Sequence, residues 1–365
     1  MVKLVSEIQL FSVIWVVPII LIQIIAAFGI IFTRPSMKIK KEPGISFVVA
    51  VWNEGNRVAK CVNSILAQNY PEGKFNVILI GGGDENTLKI CNNLARGKRV
   101  NFIHEKARRG KWFALNTAIG KVKGDYTAFV DADCVLESNW IKKMLARDAD
   151  IIISEFCSIS EKSLYGKIYG YGLYFTSRIS EGLGSLLKSG EYMGIGSMVK
   201  TGVFKKIRFK NSFNEDWDFV NDARRNSFTV EHADAETYQH IPSSLRDYRK
   251  GVGARMKGFI LSTGKDYLSV AILVISSLIA ISMPFYLYYF LSMEAFAVSM
   301  LAILVISASL FSLICSVKGK KIKFVFYSPL IIPMVLVFGI SIMETVFKMA
   351  SGKDVKWEIY NKKSR

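Results

Sequence analysis

The stretch Tyr-Thr-Ala-Phe-Val-Asp-Ala-Asp at residues 126–133 decides how the rest of this sequence is interpreted. Tyr126–Val130 is an aromatic and β-branched run, which predicts a buried strand. It passes directly into Asp131 and Asp133, whose carboxylates can face one hard cation, with Mg²⁺ or Mn²⁺ the best match for oxygen ligands. The alternative is a strand-ending turn in which an aspartate caps the next helix.

Strand-like and helix-like segments alternate on both sides of this stretch. This alternation predicts an α/β fold with a mostly parallel sheet, and places ligands at the carboxyl ends of the strands. The predicted strands are Ile45–Val51, Phe75–Ile80, Val100–His104 and Thr229–His232. The predicted helices are Asn56–Gln68, Thr87–Leu94 and Lys111–Ile119.

A basic segment, residues 106–111, precedes the last of these helices and contains Arg109 and Lys111. Cations at a helix start, with Gly110 permitting close approach, are suited to a pyrophosphate. The alternative is a solvated charge run with no ligand.

An acidic cluster, Asn214-Glu215-Asp216-Trp217-Asp218, offers a general base. Burial and a neighbouring carboxylate would raise the pKa of one acid toward the working pH. The cluster also has the composition of a helix N-terminus, where acids are favoured by the dipole, and both interpretations can hold together. His240 is a candidate third metal ligand beside Asp131 and Asp133, against a purely structural role.

Four apolar blocks exclude an ordinary soluble protein. They are residues 8–32, 267–291, 295–316 and 324–347, and their only charged residue is Glu344. Each is long enough to cross a bilayer, for which about 20 apolar residues suffice. Pro329 and Pro333 leave open whether the last block spans fully, so we expect one N-terminal and two to three C-terminal transmembrane helices.

The charge distribution predicts the orientation of these helices. The net charge is +18, and basic clusters follow the first block and separate the third from the fourth. The positive-inside rule places these clusters in the cytoplasm. We therefore expect a multi-pass protein of the cell membrane with an anchor (8–32), a cytoplasmic catalytic domain (42–262), a membrane bundle (267–347) and a basic tail (348–365). Arg255, just before the bundle, is a candidate contact for an acceptor or a diphosphate.

Taken in order, these motifs resemble the family 2 glycosyltransferases and their GT-A (Rossmann-like) fold over residues 42–262. The matching residues are Val48–Glu54, Gln68-Asn69-Tyr70-Pro71, Arg109-Gly110-Lys111, Ala114-Leu115-Asn116, Asp131-Ala132-Asp133 and Glu215-Asp216. The resemblance implies that Asn53 and Glu54 line a nucleotide pocket and that Lys111 approaches the nucleotide or its phosphates. It also implies that Asp131 and Asp133 hold the nucleotide–metal complex and that Asp216 deprotonates the acceptor.

Two positions depart from the family pattern. The family usually has Asp-Asp-Gly-Ser after the second strand, where this chain has Gly81-Gly82-Gly83-Asp84, so Asp84 is the candidate base contact and the nucleotide, UDP or GDP, stays open. Processive synthases carry a Gln-x-x-Arg-Trp motif. This chain keeps only its arginine, Arg255, and the later Gly258.

The expected activity is inverting, metal-dependent transfer of a sugar from a nucleotide-sugar donor to a lipid or lipid-linked acceptor. The alternative enzyme is a processive polysaccharide synthase of the cellulose, chitin or hyaluronan synthase type. A transporter is disfavoured because polar groups are scarce in the apolar blocks. A nucleic-acid binder is favoured by charge alone, and nucleic acid is not an expected partner.

Overall fold

The computed structural model describes residues 22–31, 42–158, 164–187, 193–212, 214–240, 304–315, 322–331 and single positions between 333 and 351. These residues cluster into two compact units. One contains residues 42–158 and 193–240, and the other contains the helices at 22–31, 164–186 and 304–331. Residues 160–186, inside the 42–262 stretch expected to form the catalytic domain, cluster with the helices of the second unit.

The first unit is built on one eight-stranded sheet. Its strand order is β3-β2-β1-β4-β7-β6-β8-β5. The strands are β1 (Ile45–Trp52), β2 (Phe75–Gly82), β3 (Val100–His104), β4 (Tyr126–Val130), β5 (Cys134–Leu136), β6 (Ile151–Ser158), β7 (Gly196–Lys200) and β8 (Val230–Gln239). Strands β3, β2, β1 and β4 are parallel, whereas β7 runs antiparallel between β4 and β6. The predicted α/β architecture with a mostly parallel sheet is confirmed.

Helices cover both faces of the sheet. They are α2 (Asn56–Leu66), α3 (Glu85–Leu94), α4 (Lys111–Ile119), α5 (Trp140–Leu145) and α7 (Glu215–Arg225), numbered so that α1 is the helix at residues 22–31. Val58, Val62 and Ile65 of α2 recur at helical spacing and are buried against one face of the sheet. On the other face Leu115 of α4 and Phe219 of α7 are buried together. Helices α4 and α7 therefore lie on the same face of the sheet.

The second unit is a helical cluster. It contains α1, α6 (Leu164–Leu187), α8 (residues 304–315) and α9 (Lys323–Phe326). Its core is aromatic, with the rings of Tyr174 and Phe324 stacked at a centroid distance of 3.9 Å and Phe175 edge-on to Phe311. This packing accounts for the clustering of α6 with the other helices rather than with the sheet.

Within the described ranges, no helix combines the length and the apolar character that crossing a bilayer requires. The block at 267–291 lies wholly outside these ranges, and only parts of the other three fall inside them. The basic tail lies outside as well.

Candidate active site

The acidic pair lies where β4 ends. The Asp131 backbone is fixed on two sides, since its N–H donates to Ile195 O (3.1 Å) and its carbonyl accepts from Cys134 N (3.0 Å). Its carboxylate stays about a third exposed, with 29% of the side-chain surface open. Asp133 is buried, and its Oδ1 accepts a weak hydrogen bond from Cys134 Sγ at 3.6 Å. The strand end thus holds one accessible and one enclosed carboxylate.

Lys111 connects the two acidic regions that the sequence singled out. It is the first residue of α4, directly after Gly110, whose φ of 103° is readily available only to glycine. Its Nζ lies 2.8 Å from Asp131 Oδ1 and 3.4 Å from Glu215 Oε1. Desolvation opposes the charge on this ammonium, but the carboxylates of Asp131, Glu215 and Asp216 outweigh it and raise the pKa of Lys111 well above its usual range.

Glu215 and Asp216 open helix α7. Their acidic first turn and the arginines in the last turn match the helix dipole, as the sequence analysis allowed. Burial raises the pKa of both carboxyl groups, and Lys111 partly offsets this effect. Asp216 Oδ1 also accepts a hydrogen bond from Trp217 N at 2.9 Å. An acid whose pKa is raised by burial has the property expected of a general base that works near neutral pH.

One narrow cavity brings these groups together. Asp131, Lys111, Glu215 and Asp216 all face it. Its apolar wall comes from β1, α4 and β4, and the remaining side from residues 193–197 and Phe209. Sequence analysis did not identify four of the lining residues, Met193, Gly194, Ser197 and Phe209. For Ser197, no local sequence pattern indicates that β7 lies antiparallel beside β4.

The residues predicted to contact the nucleotide lie at the ends of β1 and β2. Asn53 adopts a left-handed backbone conformation (φ 58°), and its Oδ1 accepts a hydrogen bond from Asp84 N at 2.7 Å. Asp84 caps α3 by accepting from Thr87 N at 2.8 Å, and the hydrogen bonds from Thr87 lower its pKa. Glu54 forms an ion pair with Arg57 at 3.7 Å. Asn53 and Asp84 are therefore joined by a hydrogen bond, and Asp84 also serves as a helix cap.

The other candidate residues lie apart from this cavity or beyond the described residues. The Arg109 guanidinium stacks over Phe113, 3.6 Å from the ring centroid, and lies 3.8 Å from the Glu105 carboxylate. His240 follows Gln239, which pairs with Cys134, so the ladder brings the backbone at His240 toward that of Asp133. Among the described residues no three His, Cys, Asp or Glu side chains are arranged to hold a metal ion. Arg255 lies outside the described residues.

Comparisons with known proteins show what part of the first unit is similar to. Residues 46–162 match the family model described as Glycosyl transferase family 2. The chain is 28% identical over 103 residues to Glycosyltransferase AglE of Haloferax volcanii, covering 28% of this chain and 34% of that protein. It is 31% identical over 133 residues to Glycosyltransferase GlyG of Streptococcus pneumoniae, covering 35% of this chain and 43% of that protein. The chain thus spans less than half the length of either relative.

The fold is also found in a solved structure, that of mannosyltransferase PcManGT from Pyrobaculum calidifontis in complex with GDP-Man and Mn²⁺. The TM-score is 0.61 at 13% sequence identity, with 95% of this chain and 99% of that chain covered. At this identity the similarity establishes the fold alone. Residues 46–162 are therefore similar to glycosyl transferase family 2, within a chain whose α/β fold is similar to that of PcManGT.

Proposed function

We propose that this protein is a membrane glycosyltransferase that moves a sugar from a nucleotide-sugar donor to a lipid or lipid-linked acceptor with inversion. The observation that carries the proposal is the shared cavity, in which Asp131 at a strand end faces the half-buried acids Glu215 and Asp216. The family match and both named glycosyltransferase relatives support sugar transfer. UDP- and GDP-sugars are the donor classes to test.

The donor chemistry of the strand end suits a divalent cation, although the described side chains do not converge on one point. Asp131 and Asp133 offer hard oxygen ligands, and Asp131 Oδ1 already attracts a cationic group, the Lys111 ammonium at 2.8 Å. Asp131, Asp133 and His240 would hold Mg²⁺ or Mn²⁺ only if their side chains moved together, and the Mn²⁺ in the PcManGT complex shows that a protein of this fold can use such an ion. When bound, such an ion neutralises negative charge on the nucleoside diphosphate.

Asp216 supplies the base. Its carboxylate takes the proton from the acceptor hydroxyl as that oxygen forms a bond to the anomeric carbon of the sugar. The bond from this carbon to the diphosphate oxygen breaks, and the nucleoside diphosphate leaves with the electron pair. The Lys111 ammonium in the same cavity stabilises the developing charge, and Arg255 would assist at the diphosphate or the acceptor. A single in-line displacement inverts the anomeric configuration.

The acceptor and the location are inferred from the apolar blocks. Three of the four contain no charged residue, and basic clusters flank them on the side that the positive-inside rule assigns to the cytoplasm. A multi-pass protein of the cell membrane with its catalytic domain in the cytoplasm would meet nucleotide sugars on one side and lipid on the other.

The test is a screen of radiolabelled UDP- and GDP-sugars with native membranes, with and without Mn²⁺, followed by lipid extraction. We expect one donor to label the lipid fraction in a metal-dependent way. Product length on a gel separates single transfer from processive synthesis of a polysaccharide. No labelled product from any donor, with the protein folded in the membrane, would refute the proposal.

A further inference from the structure

We propose that Ser197 is a substrate contact, whose hydroxyl binds one hydroxyl group of the sugar that the enzyme transfers. This inference rests on the proposed function and adds to it a residue that recognises the sugar rather than the nucleotide. Ser197 lies on β7, opposite Phe129 of β4, and lines the same cavity as Asp131 and Asp216.

The starting observation is a buried hydroxyl that the fold does not use. Ser197 is 1% exposed, and its Oγ has no hydrogen-bond partner among the described residues. Such a group destabilises a folded protein, so buried hydroxyls are usually hydrogen-bonded. Ser154 on the adjacent strand β6 shows the usual case, because its Oγ donates to Gly196 O at 2.7 Å. The Ser197 hydroxyl therefore has a hydrogen bond left to offer a ligand.

Strand pairing on both sides holds this hydroxyl in place. Ser197 pairs with Phe129 of β4 on one side and with Ile153 of β6 on the other. Residues directly opposite each other in a sheet share a face. Phe129 and Ile153 are buried on the face that carries Leu115 of α4 and Phe219 of α7. The Ser197 side chain is thus fixed on the face of the sheet from which the acids and the lysine of the cavity come.

The charges around the cavity favour a neutral partner for this hydroxyl. Among the described residues that line it, carboxylates come from Asp131, Glu215 and Asp216, whereas the ammonium comes from Lys111. A second anion beside Ser197 would add to this negative charge, but a sugar hydroxyl is neutral and can both donate and accept. In the proposed reaction the sugar is the neutral part between the diphosphate and the acceptor. A hydroxyl of the transferred sugar therefore suits the position of Ser197.

Removing the hydroxyl separates this role from a structural one. Ser197→Ala deletes a buried polar atom that has no partner among the described residues, so the melting temperature should stay the same or rise. Ser46→Ala is the matched control. Ser46 is equally buried at the amino end of β1, and its Oγ donates to Asn76 Oδ1 at 2.9 Å. This control should lower the melting temperature and leave sugar recognition unchanged.

The experiment measures ligand binding to the purified full chain in detergent by titration calorimetry, with Mn²⁺ present and no acceptor. The probes are UDP, GDP, UDP-glucose, UDP-N-acetylglucosamine and GDP-mannose. We expect Ser197→Ala to raise the Kd of the nucleotide sugar that wild type binds by about five- to tenfold, the size of one hydrogen bond exchanged with water. The Kd of the free nucleotide should stay within about twofold of wild type, as for a change that leaves its contacts intact.

Monodeoxy analogues of the same nucleotide sugar identify the contact. In wild type, removing the hydroxyl that meets Ser197 should weaken binding by the same factor, and in Ser197→Ala that analogue and the complete sugar should bind alike. If every analogue keeps its full penalty in Ser197→Ala, the proposal is overturned. A raised acceptor KM with normal donor binding would also overturn it, because the contact would then belong to the acceptor.

The same titrations distinguish this proposal from the proposed function. If wild type and Ser197→Ala bind the nucleotide sugar equally well, only the sugar contact is wrong, and the Ser197 hydroxyl holds no part of the donor. If folded wild type binds none of the nucleotides or nucleotide sugars, the proposed function fails, and the sugar contact fails with it.

Discussion

Asn116 holds the backbone of Phe209 with both ends of its side-chain amide. Its Nδ2 donates to Phe209 O at 2.7 Å, and its Oδ1 accepts from Phe209 N at 3.1 Å, across 93 residues of sequence. Phe209 in turn stacks on Phe219 of α7 at a centroid distance of 4.5 Å. The asparagine of α4 thereby fixes the segment that leads into Glu215 and Asp216.

Replacing Asn116 with alanine should therefore slow catalysis more than it weakens donor binding. The change leaves the Phe209 N–H and C=O without their side-chain partners, which costs about 1–3 kcal/mol of stability. With the approach to α7 loosened, we expect kcat to fall by about tenfold, as for a small misplacement of a catalytic group, while the donor KM changes little. Steady-state kinetics and thermal unfolding test both effects.

Thr117→Ala is the matched control. Thr117 is the next residue of α4, and its hydroxyl donates only to Phe113 O within the same helix, at 2.9 Å. We expect changes within about 0.5 kcal/mol and normal kinetics. If the two variants behave alike, the amide of Asn116 does not position the acidic turn.

The pH dependence of turnover should reflect the raised pKa of Asp216. Burial raises that pKa and Lys111 lowers it, so the base ionises above the ordinary aspartate range. The acid limb of kcat/KM should therefore lie above about pH 4, the ordinary aspartate region. In Lys111→Met the limb should move to still higher pH, because the charge that favours the carboxylate is gone. A limb that stays in place or moves down would contradict this electrostatic account.

Asp216→Asn should stabilise the fold at alkaline pH. A carboxyl group whose folded pKa is raised keeps its proton in the folded chain after the unfolded chain has lost its own, so its contribution to stability falls as pH rises through that window. Asparagine cannot ionise, and we expect a gain on the order of 1 kcal/mol at pH 8. The gain should shrink as the pH approaches the ordinary aspartate pKa of about 3.9. Thermal melts across this range provide the measurement, and a loss of stability at pH 8 would contradict the prediction.

Gly83→Ala should damage the nucleotide pocket. Gly83 has φ +129°, and a Cβ there would lie 2.5 Å from the backbone N and the side-chain Oδ1 of Asn53. We expect a loss of about 1–3 kcal/mol, typical of a strained backbone position, together with weaker nucleotide binding as Asn53 is displaced. Gly73→Ala serves as control, because a Cβ there would meet nothing within 4 Å. Unchanged nucleotide affinity in Gly83→Ala would separate Asn53 from the pocket.

The first half of the sheet could be predicted from the sequence because its strands are buried runs. The predicted bounds are confirmed for two strands, Val100–His104 and Tyr126–Val130, and for helix Lys111–Ile119. Strand β1 ends one residue later than predicted, and β2 ends two residues later. The helix expected at Asn56–Gln68 ends earlier, at Leu66, where Ala67 and Gln68 leave the helical path. Apolar periodicity alone does not mark such an end.

The second half was less accessible to sequence analysis. Strand β8 extends to Gln239 although it contains the acidic residues Glu231, Asp234 and Glu236. It does so because β6 and β5 pair with its backbone on either side. The Gly- and Tyr-rich composition of residues 165–196 does not indicate a helix, yet the structure has helix α6 over most of this segment. The contact of Lys111 with both acidic regions depends on long-range topology that no local pattern encodes.

The most direct test of the central claim compares sugar transfer with donor binding in Asp216→Asn. Membranes containing wild type or the variant receive the same labelled donor and Mn²⁺, and transfer is expressed per molecule of bound donor. Loss of a general base typically costs about 10²- to 10⁴-fold, so we predict a drop of that size with donor binding retained. Undiminished transfer by Asp216→Asn would contradict the account.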